Sequence, residues 1–476
     1  MFGHSRVTGL QPGVARIRTL AKPFIIFVER FYPDPFVFAI ALSFIVYLMA
    51  LGLTDAGAVD ALAAWGAGLA GLLEFIAQIA IVLITAHALA HTDAAQGLLK
   101  RLGAVPKSAA MAYAFVAVIA GIASLFSWGF GLVAGAIMAR QVAIEARKRG
   151  VRLHYPLLVA SAYGGFVVWH MGYSSSAALF VATPGHALEE QVGGTIPVTD
   201  TIFTGWNIAT ALITIAVVAV VCAAMRPKSD DEIVELPADV VDDGDEPEPT
   251  GGGGSATATR TEVATERTLA ERLDGSRAIS LAIGAALLVY LVYWFATEGL
   301  NLTLDIVNWS FLTLGLLLAR SPIHYVRLVN DAARTIGQIL LQYPLYAGIM
   351  GIMIDTGLVS VIAGWFTAIS SAATLGFWAF LSGGFINMFI PSGGGQWAVQ
   401  GPIFIQAAAT LGTDPSRIVM GVAYGDQWTN MIQPFWTIPL LAIAGLHMRQ
   451  IMGYTFVVLI VTFFLFGGGI LLAGAG

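Results

Sequence analysis

The residues best equipped for chemistry lie in two stretches near the carboxyl end. In residues 423–436 an apolar helical pattern carries Asp426, Gln427, Thr429, Asn430 and Gln433 before Pro434 breaks it. Asp426 is the one acid there, and an ionisable side chain at membrane depth costs about 2.5–3.5 kcal/mol on insertion scales, so such residues mark function. One reading makes Asp426 a coupling-ion ligand, with Asn387, Gln427 and Thr429 beside it. A protonatable relay is another, and a structural residue near the outer end of the helix is a third. Gln427, Asn430 and Gln433 recur at three-residue spacing on one helical face, which suits a lined cavity or, equally, hydrogen bonds between helices.

The second stretch, residues 385–402, is apolar at both ends but holds Pro391, Ser392, Gly393, Gly394, Gly395, Gln396 and Gln400 in its middle. Inside a bilayer, non-helical backbone survives only where protein or a watery cavity covers it. A loop here would bring a helix N-terminus and free backbone groups to a substrate, as broken helices do in transporters; close packing by small residues is the competing explanation. A side chain at Gly394 would fill that cavity and strain a backbone suited to positive φ. Weaker versions of the pattern occur at Ser127 and Gly129 and at Ser174 and Ser175, serines that either bind substrate or cap a broken helix. His170, just before them, can titrate or can sit hydrogen-bonded in the core.

These residues need a scaffold that spans a membrane. The chain has 476 residues, 57% hydrophobic and 11% charged, with a net charge of -6 and a mean hydropathy of +0.77. Many apolar runs reach the ~20 residues that cross a bilayer. The single cysteine, Cys222, excludes an internal disulfide framework and reads as small apolar filler.

Basic short loops stay in the cytoplasm, which orients the spans. Residues 1–31 read as an interfacial amphipathic helix with Arg6, Arg16, Arg18, Lys22 and Arg30. Residues 32–225 form a first transmembrane repeat, with spans near 36–53 and 62–90, a re-entrant hairpin or two short spans over 108–140 turning at 127–131, an interrupted helix from Tyr155, and a return over 201–225. Residues 226–277 are acidic and Gly/Pro-rich and read as a disordered cytoplasmic linker. After a connecting helix at 278–298, residues 299–476 repeat the pattern with a hairpin over 372–411 and an interrupted helix over 417–446. The amino terminus is then cytoplasmic and the carboxyl terminus external, with nine crossings and two hairpins. A shift of about 260 residues places Ile76, Gln78, Ile79 and Gly97 on Ile336, Gln338, Ile339 and Gly357, and Ser127 on Asn387. One more residue of slippage places Ala162-Tyr163-Gly164 on Ala423-Tyr424-Gly425.

No nucleotide-binding loop, HExxH pair, haem or flavin motif occurs, and no Lys or Arg sits deep in a span. Helix N-termini, hydroxyls and amides favour a small anion, with apolar walls for its carbon chain. No nucleophile has an evident base partner, which argues against an intramembrane enzyme using Asp426 and His170.

At these residues the chain resembles the short-chain fatty acid transporter family, part of a wider ion transporter superfamily that includes dicarboxylate carriers. The likeness runs through residues 32–35, 127–131 and 182–185. It is most specific at Pro391-Ser392-Gly393-Gly394-Gly395 with Gln400-Gly401-Pro402, and at Ala423-Tyr424-Gly425, Gln427-Trp428, Asn430-Met431 and Gln433-Pro434-Phe435-Trp436. Trp169-His170-Met171 and the long acidic linker depart from it. The resemblance implies uptake of acetoacetate, butyrate or similar short monocarboxylates.

The expectation is an all-α polytopic membrane protein of two inverted-topology repeats, each with a re-entrant hairpin and an interrupted transmembrane helix. It would be a cell-membrane secondary transporter and not an enzyme, coupling a small monocarboxylate to H+ or Na+. A carrier of other carboxylates, or a channel or sensor of the same anions, is the alternative. No cofactor, metal or nucleic acid is expected, and a homodimer is allowed for. Substrate contacts fall to Ser127, Gly129, Ser174, Ser175, Ser392, Gly393, Gly394, Gly395, Gln396, Gln400, Asn430 and Gln433, and the coupling ion to Asp426, Asn387, Gln427 and Thr429.

Overall fold

Apolar helices that must bond their own backbone dominate the chain, as the bilayer requires. A computed structural model describes residues 35–237, 268–333, 336–388 and 390–475. The expected helix at 1–31 and the middle of the expected linker lie outside the described residues.

The first series runs α1 (Pro35–Leu53), α2 (Ala58–Gly68), α3 (Leu73–Ala90), α4 (Asp93–Gly103), α5 (Ala109–Phe126), α6 (Trp128–Lys148), α7 (Tyr155–Gly165), α8 (Ser176–Ala182) and α9 (Gly205–Ala224). The second runs α10 (Arg277–Thr297), α11 (Leu304–Leu318), α12 (Pro322–Ala333), α13 (Gly337–Asp355), α14 (Leu358–Ile369), α15 (Leu375–Asn387), α16 (Gly393–Leu411), α17 (Pro415–Thr429), α18 (Pro434–Ala444) and α19 (Met448–Ala475). Six described helices are long and apolar enough to cross a bilayer, or seven when Leu340–Asp355 and Leu358–Ile369, bent by 80°, count as one span. The bend is made at Gly357, whose φ of 74° is a left-handed conformation that glycine adopts without strain.

Both hairpins turn on an extended serine. Ser127 ends α5 and caps α6, its hydroxyl accepting from the Phe130 amide; Ser392 caps α16, accepting from Gly395. Such caps satisfy N–H groups that have no partner within the helix. The interrupted helices break where propensity fails. A 3-10 turn at Phe166–Met171 leads into the extended Gly172 before α8, and another at Asn430–Ile432 leads to Gln433 and Pro434. Proline has no N–H and pushes the preceding residue into an extended conformation.

Each hairpin grips its interrupted helix in the same way. A Cβ on Gly165 would lie 2.7 Å from the Gly121 amide nitrogen and hard against the Ala117 carbonyl; one on Gly425 would lie 2.6 Å from the Gly384 nitrogen and hard against the Phe380 carbonyl. The two halves then interlock through tyrosines. The Tyr163 hydroxyl donates to the Asn430 carbonyl, and the Tyr424 hydroxyl donates to Asn207 Oδ1 at 2.8 Å.

Two expectations need adjusting. The span expected over 62–90 is two helices broken at 69–72, next to Gly68, which packs backbone to backbone against Gly348 and Gly351 of α13. The start of the expected linker is also packed against the helices. Val234 accepts from the Tyr155 amide at 2.7 Å and donates to His154 Nδ1 at 3.1 Å, Glu235 pairs with Arg152 at 2.6 Å, and Leu236 is buried.

Candidate functional site

The site is assembled where the tip of the second hairpin meets the breaks of both interrupted helices. Asp426, three residues from the end of α17, is fully buried, and neither carboxylate oxygen has a hydrogen-bond partner. Its Oδ2 lies 3.3 Å from His170 Nδ1 and 2.9 Å from the position a Cβ on Gly393 would take. The first turn of α16 therefore begins against this carboxylate, with its amide groups directed toward the tip.

His170 is held on three sides. Its backbone amide donates to Gln427 Oε1 at 2.9 Å, its Nδ1 lies 3.1 Å from the Ala423 carbonyl, and its Nε2 lies 3.3 Å from the Ala177 amide. Because Nε2 must accept from a backbone N–H, the proton resides on Nδ1, where it faces both Ala423 and Asp426. Trp169 stacks on the ring with centroids 4.0 Å apart.

Asn387, the last residue of α15, pins the break of α17. Its Nδ2 lies 2.9 Å from the Asp426 carbonyl, 2.9 Å from Thr429 Oγ1 and 2.7 Å from Asn430 Oδ1, and Gln433 Nε2 donates to the Asn387 carbonyl. Several fully buried atoms nonetheless have no partner: Asn387 Oδ1, Asn430 Nδ2, Gln427 Nε2, Ser175 Oγ and the Trp169 and Trp436 Nε1 atoms. Each such group costs about 1–3 kcal/mol if left unsatisfied, so a concentration of them marks a place built to receive a polar ligand.

The structure thus brings together Ser392, Gly393, Gly394, Gly395, Asp426, Asn387, Gln427, Thr429, Asn430 and Gln433. It places Gln396 and Gln400 elsewhere, between the hairpin arms: Gln396 Nε2 donates to the Gly383 carbonyl and to Gln400 Oε1, both at 2.8 Å, and Gln400 Nε2 donates to Ser382 Oγ at 2.7 Å. At the first tip Ser174 Oγ accepts from the Trp128 amide at 3.0 Å, so this serine caps α6. Gly129 packs near Leu83. Trp169 connects the tips, lying 6.5 Å from Trp128 by ring centroids and 2.8 Å, through Cη2, from the Cβ position of Gly393.

Gly394 departs from expectation in its reason. Its φ is not positive; a Cβ there would lie 2.5 Å from Phe75 Cε1 and Cζ and 3.0 Å from the Tyr343 hydroxyl. Close approach, and not backbone conformation, therefore requires glycine. Tyr343 also pairs with Ser392 Oγ at 2.6 Å. Phe75 and Tyr343 escape sequence reasoning because each sits in an apolar helix with nothing local to distinguish it from core.

Residues 16–473 match one family of known proteins, described as short chain fatty acid transporter. The chain belongs to that family. It is a family of transporters and not of enzymes. Two relatives, provisionally named short-chain fatty acid transporters, are similar along nearly their whole lengths. The one from Escherichia coli (strain K12) is 39% identical over 448 residues, covering 94% of this chain and 97% of the relative. That from Haemophilus influenzae (strain ATCC 51907 / DSM 11121 / KW20 / Rd) is 37% identical over 442 residues, covering 92% and 95%. Among solved structures, the Alcanivorax borkumensis YdaH transporter superposes on this transporter with a TM-score of 0.58 at 16% identity, covering 93% of this chain and 98% of that one. Neisseria gonorrhoeae MtrF, described within a class of antimetabolite efflux pumps, superposes with a TM-score of 0.57 at 16% identity, covering 95% and 97%. At that identity the likeness is one of fold.

Proposed function

We propose that this transporter moves short monocarboxylates, of the size of butyrate or acetoacetate, by secondary active transport coupled to a cation. The observation that carries the reading is the buried carboxylate of Asp426, without a hydrogen-bond partner, set against the first turn of α16. The substrate carboxylate binds at the tip, taking hydrogen bonds from the first-turn amides, Ser392, Asn430 and Gln433, and the coupling cation binds at Asp426. A monoanion moving inward against the membrane potential needs positive charge to travel with it, at about 2.3 kcal/mol per charge per 100 mV.

A proton is the coupling cation that fits best. Asp426 Oδ2 has His170 Nδ1 3.3 Å away and lies 2.9 Å from the position a Cβ on Gly393 would take. A hard metal cation needs several converging oxygens. The parallel order of helices, hairpins and interrupted helices in the two halves, together with the matched grips at Gly165 and Gly425, supports inverted repeats working by alternating access, with the hairpins in the moving part. The amino terminus is cytoplasmic and the carboxyl terminus external in this reading.

Uptake of labelled butyrate and acetoacetate into proteoliposomes, with pH and sodium gradients imposed separately, tests the function. Accumulation driven by the pH gradient alone is expected. Accumulation that tracks only sodium would transfer the coupling to that ion, and no uptake of either acid would remove the substrate assignment.

A further inference from the structure

We propose that the ring of Phe75 is the outer gate of the substrate site and sets the length of acyl chain that the transporter admits. The inference rests on the proposed binding of the substrate carboxylate at the 392–395 tip.

Phe75 stands at the start of α3, immediately after the break at 69–72, and its side chain is buried. On one side it walls a cavity of about 70 Å³ together with Leu72, Gln78, Phe180, Thr183 and His186. On the other, its Cε1 and Cζ fill the space beside Gly394, 2.5 Å from the position a Cβ there would take. A single aromatic ring therefore separates that cavity, external in the proposed orientation, from the tip. Phe180 meets the ring edge-on with centroids 4.9 Å apart, and Tyr343 flanks it at 6.0 Å.

The chemistry of the slot is graded. Its inner end carries the paired hydroxyls of Ser392 and Tyr343, and its flanks are the rings of Phe75 and Phe180. A short fatty acid has the same polarity, with a carboxylate head and an aliphatic tail. With the head at the tip, the tail points at Phe75, and the ring must be displaced toward the cavity to make room for it, further for a longer chain. Turning the Phe75 side chain away from Gly394 would open the cavity to the tip. In an apolar pocket each misfitted methylene changes selectivity by roughly 10–200-fold, so one ring is enough to impose a length limit.

Phe75→Ala, Phe75→Leu and Phe75→Trp test this by competition of acetate, butyrate, hexanoate and octanoate against labelled butyrate uptake, with membrane insertion measured in parallel. Phe75→Ala should lower the concentrations at which hexanoate and octanoate compete, relative to that of butyrate, by about 10-fold or more. Phe75→Leu should shift hexanoate alone, and Phe75→Trp should lose labelled butyrate uptake while retaining uptake of labelled acetate. Inserted variants with the wild-type length profile would overturn the gate, as would failure of both Phe75→Ala and Phe75→Leu to insert, since the ring would then be packing. A wild-type protein that none of the four acids inhibits would instead overturn the substrate reading beneath it.

Discussion

Oδ2 of Asp426 lies 3.3 Å from Nδ1 of His170, across the contact between the two interrupted helices. One residue comes from each half of the chain, so the carboxylate is buried only because the halves interlock. Its neighbour already has both ring nitrogens engaged by backbone groups. The pair is therefore a buried carboxyl group with no hydrogen-bond partner beside an imidazole held in one tautomer.

Asp426→Asn should eliminate concentrative uptake while sparing exchange, since the amide resembles the protonated acid. Losing one coupled charge is worth about 50-fold in accumulation ratio at 100 mV. Counterflow alongside net uptake measures both, and unchanged accumulation with unchanged ion dependence would make Asp426 structural.

His170 should prove a positioning residue. His170→Ala leaves the Ala177 amide and the Ala423 carbonyl without their ring partner and should cost about 1–3 kcal/mol, read as a lower Tm in detergent. His170→Asn, which keeps a donor, should recover part of it, and the pH profile of uptake should keep its midpoint. A shifted midpoint in the Asn variant would make His170 the proton carrier instead.

Gly394→Val should abolish transport without loss of insertion, because its Cβ would lie 2.5 Å from Phe75, closer than real Cβ contacts come, and 3.0 Å from the Tyr343 hydroxyl. Displacement of about 1 Å at such a site costs on the order of 100-fold in rate. Combining Gly394→Ala with Phe75→Leu should restore more uptake than Gly394→Ala alone retains, because the second change makes room for the first. Additive losses would place the crowding elsewhere.

His154, in the loop before α7, bridges Val234 of the docked linker to the Tyr454 hydroxyl. Burial lowers its pKa to about 4, only partly opposed by a backbone hydrogen bond at Glu232. A depressed histidine pKa means that the unfolded chain binds the proton more readily. Its contribution is thus full above the ordinary value near 6.5 and is lost as pH falls toward 4. Thermal stability in detergent should decline across that window, and His154→Gln should flatten the decline. An equal decline in the variant would assign it to other groups.

In a Cys222→Ala background, Thr250→Cys should resist membrane-impermeant thiol reagents in right-side-out cells, and Glu190→Cys should react. The reverse pattern would invert the proposed orientation.

Much of the architecture was legible in the residues themselves because its signals are local. Pro391-Ser392-Gly393-Gly394-Gly395 cannot continue an apolar helix, Ser127 and Ser392 cap the helices that begin beside them, and Pro434 stops the helical run before it. The break at 69–72 was not legible. Its Leu, Ala and Gly residues suit an unbroken span, and it lies beside Gly68, which seats on Gly348 and Gly351 some 280 positions away.

By itself, then, the sequence determined that the chain is a helical membrane protein, where its two interrupted helices fail, and that Asp426, Asn430, Gln433 and the glycine tip are polar features inside it. Composition and helix-breaking chemistry act over a few residues and need no partner. Only the tertiary structure decided what those features meet: that His170 faces Asp426, that Trp169 stands between the tips, that Phe75 and Tyr343 crowd Gly394, and that Gln396 and Gln400 join hairpin arms instead of reaching the tip. Those contacts join residues far apart in the chain, and which apolar side chain fills a given gap is set by how the helices cross, a relation that no local pattern records.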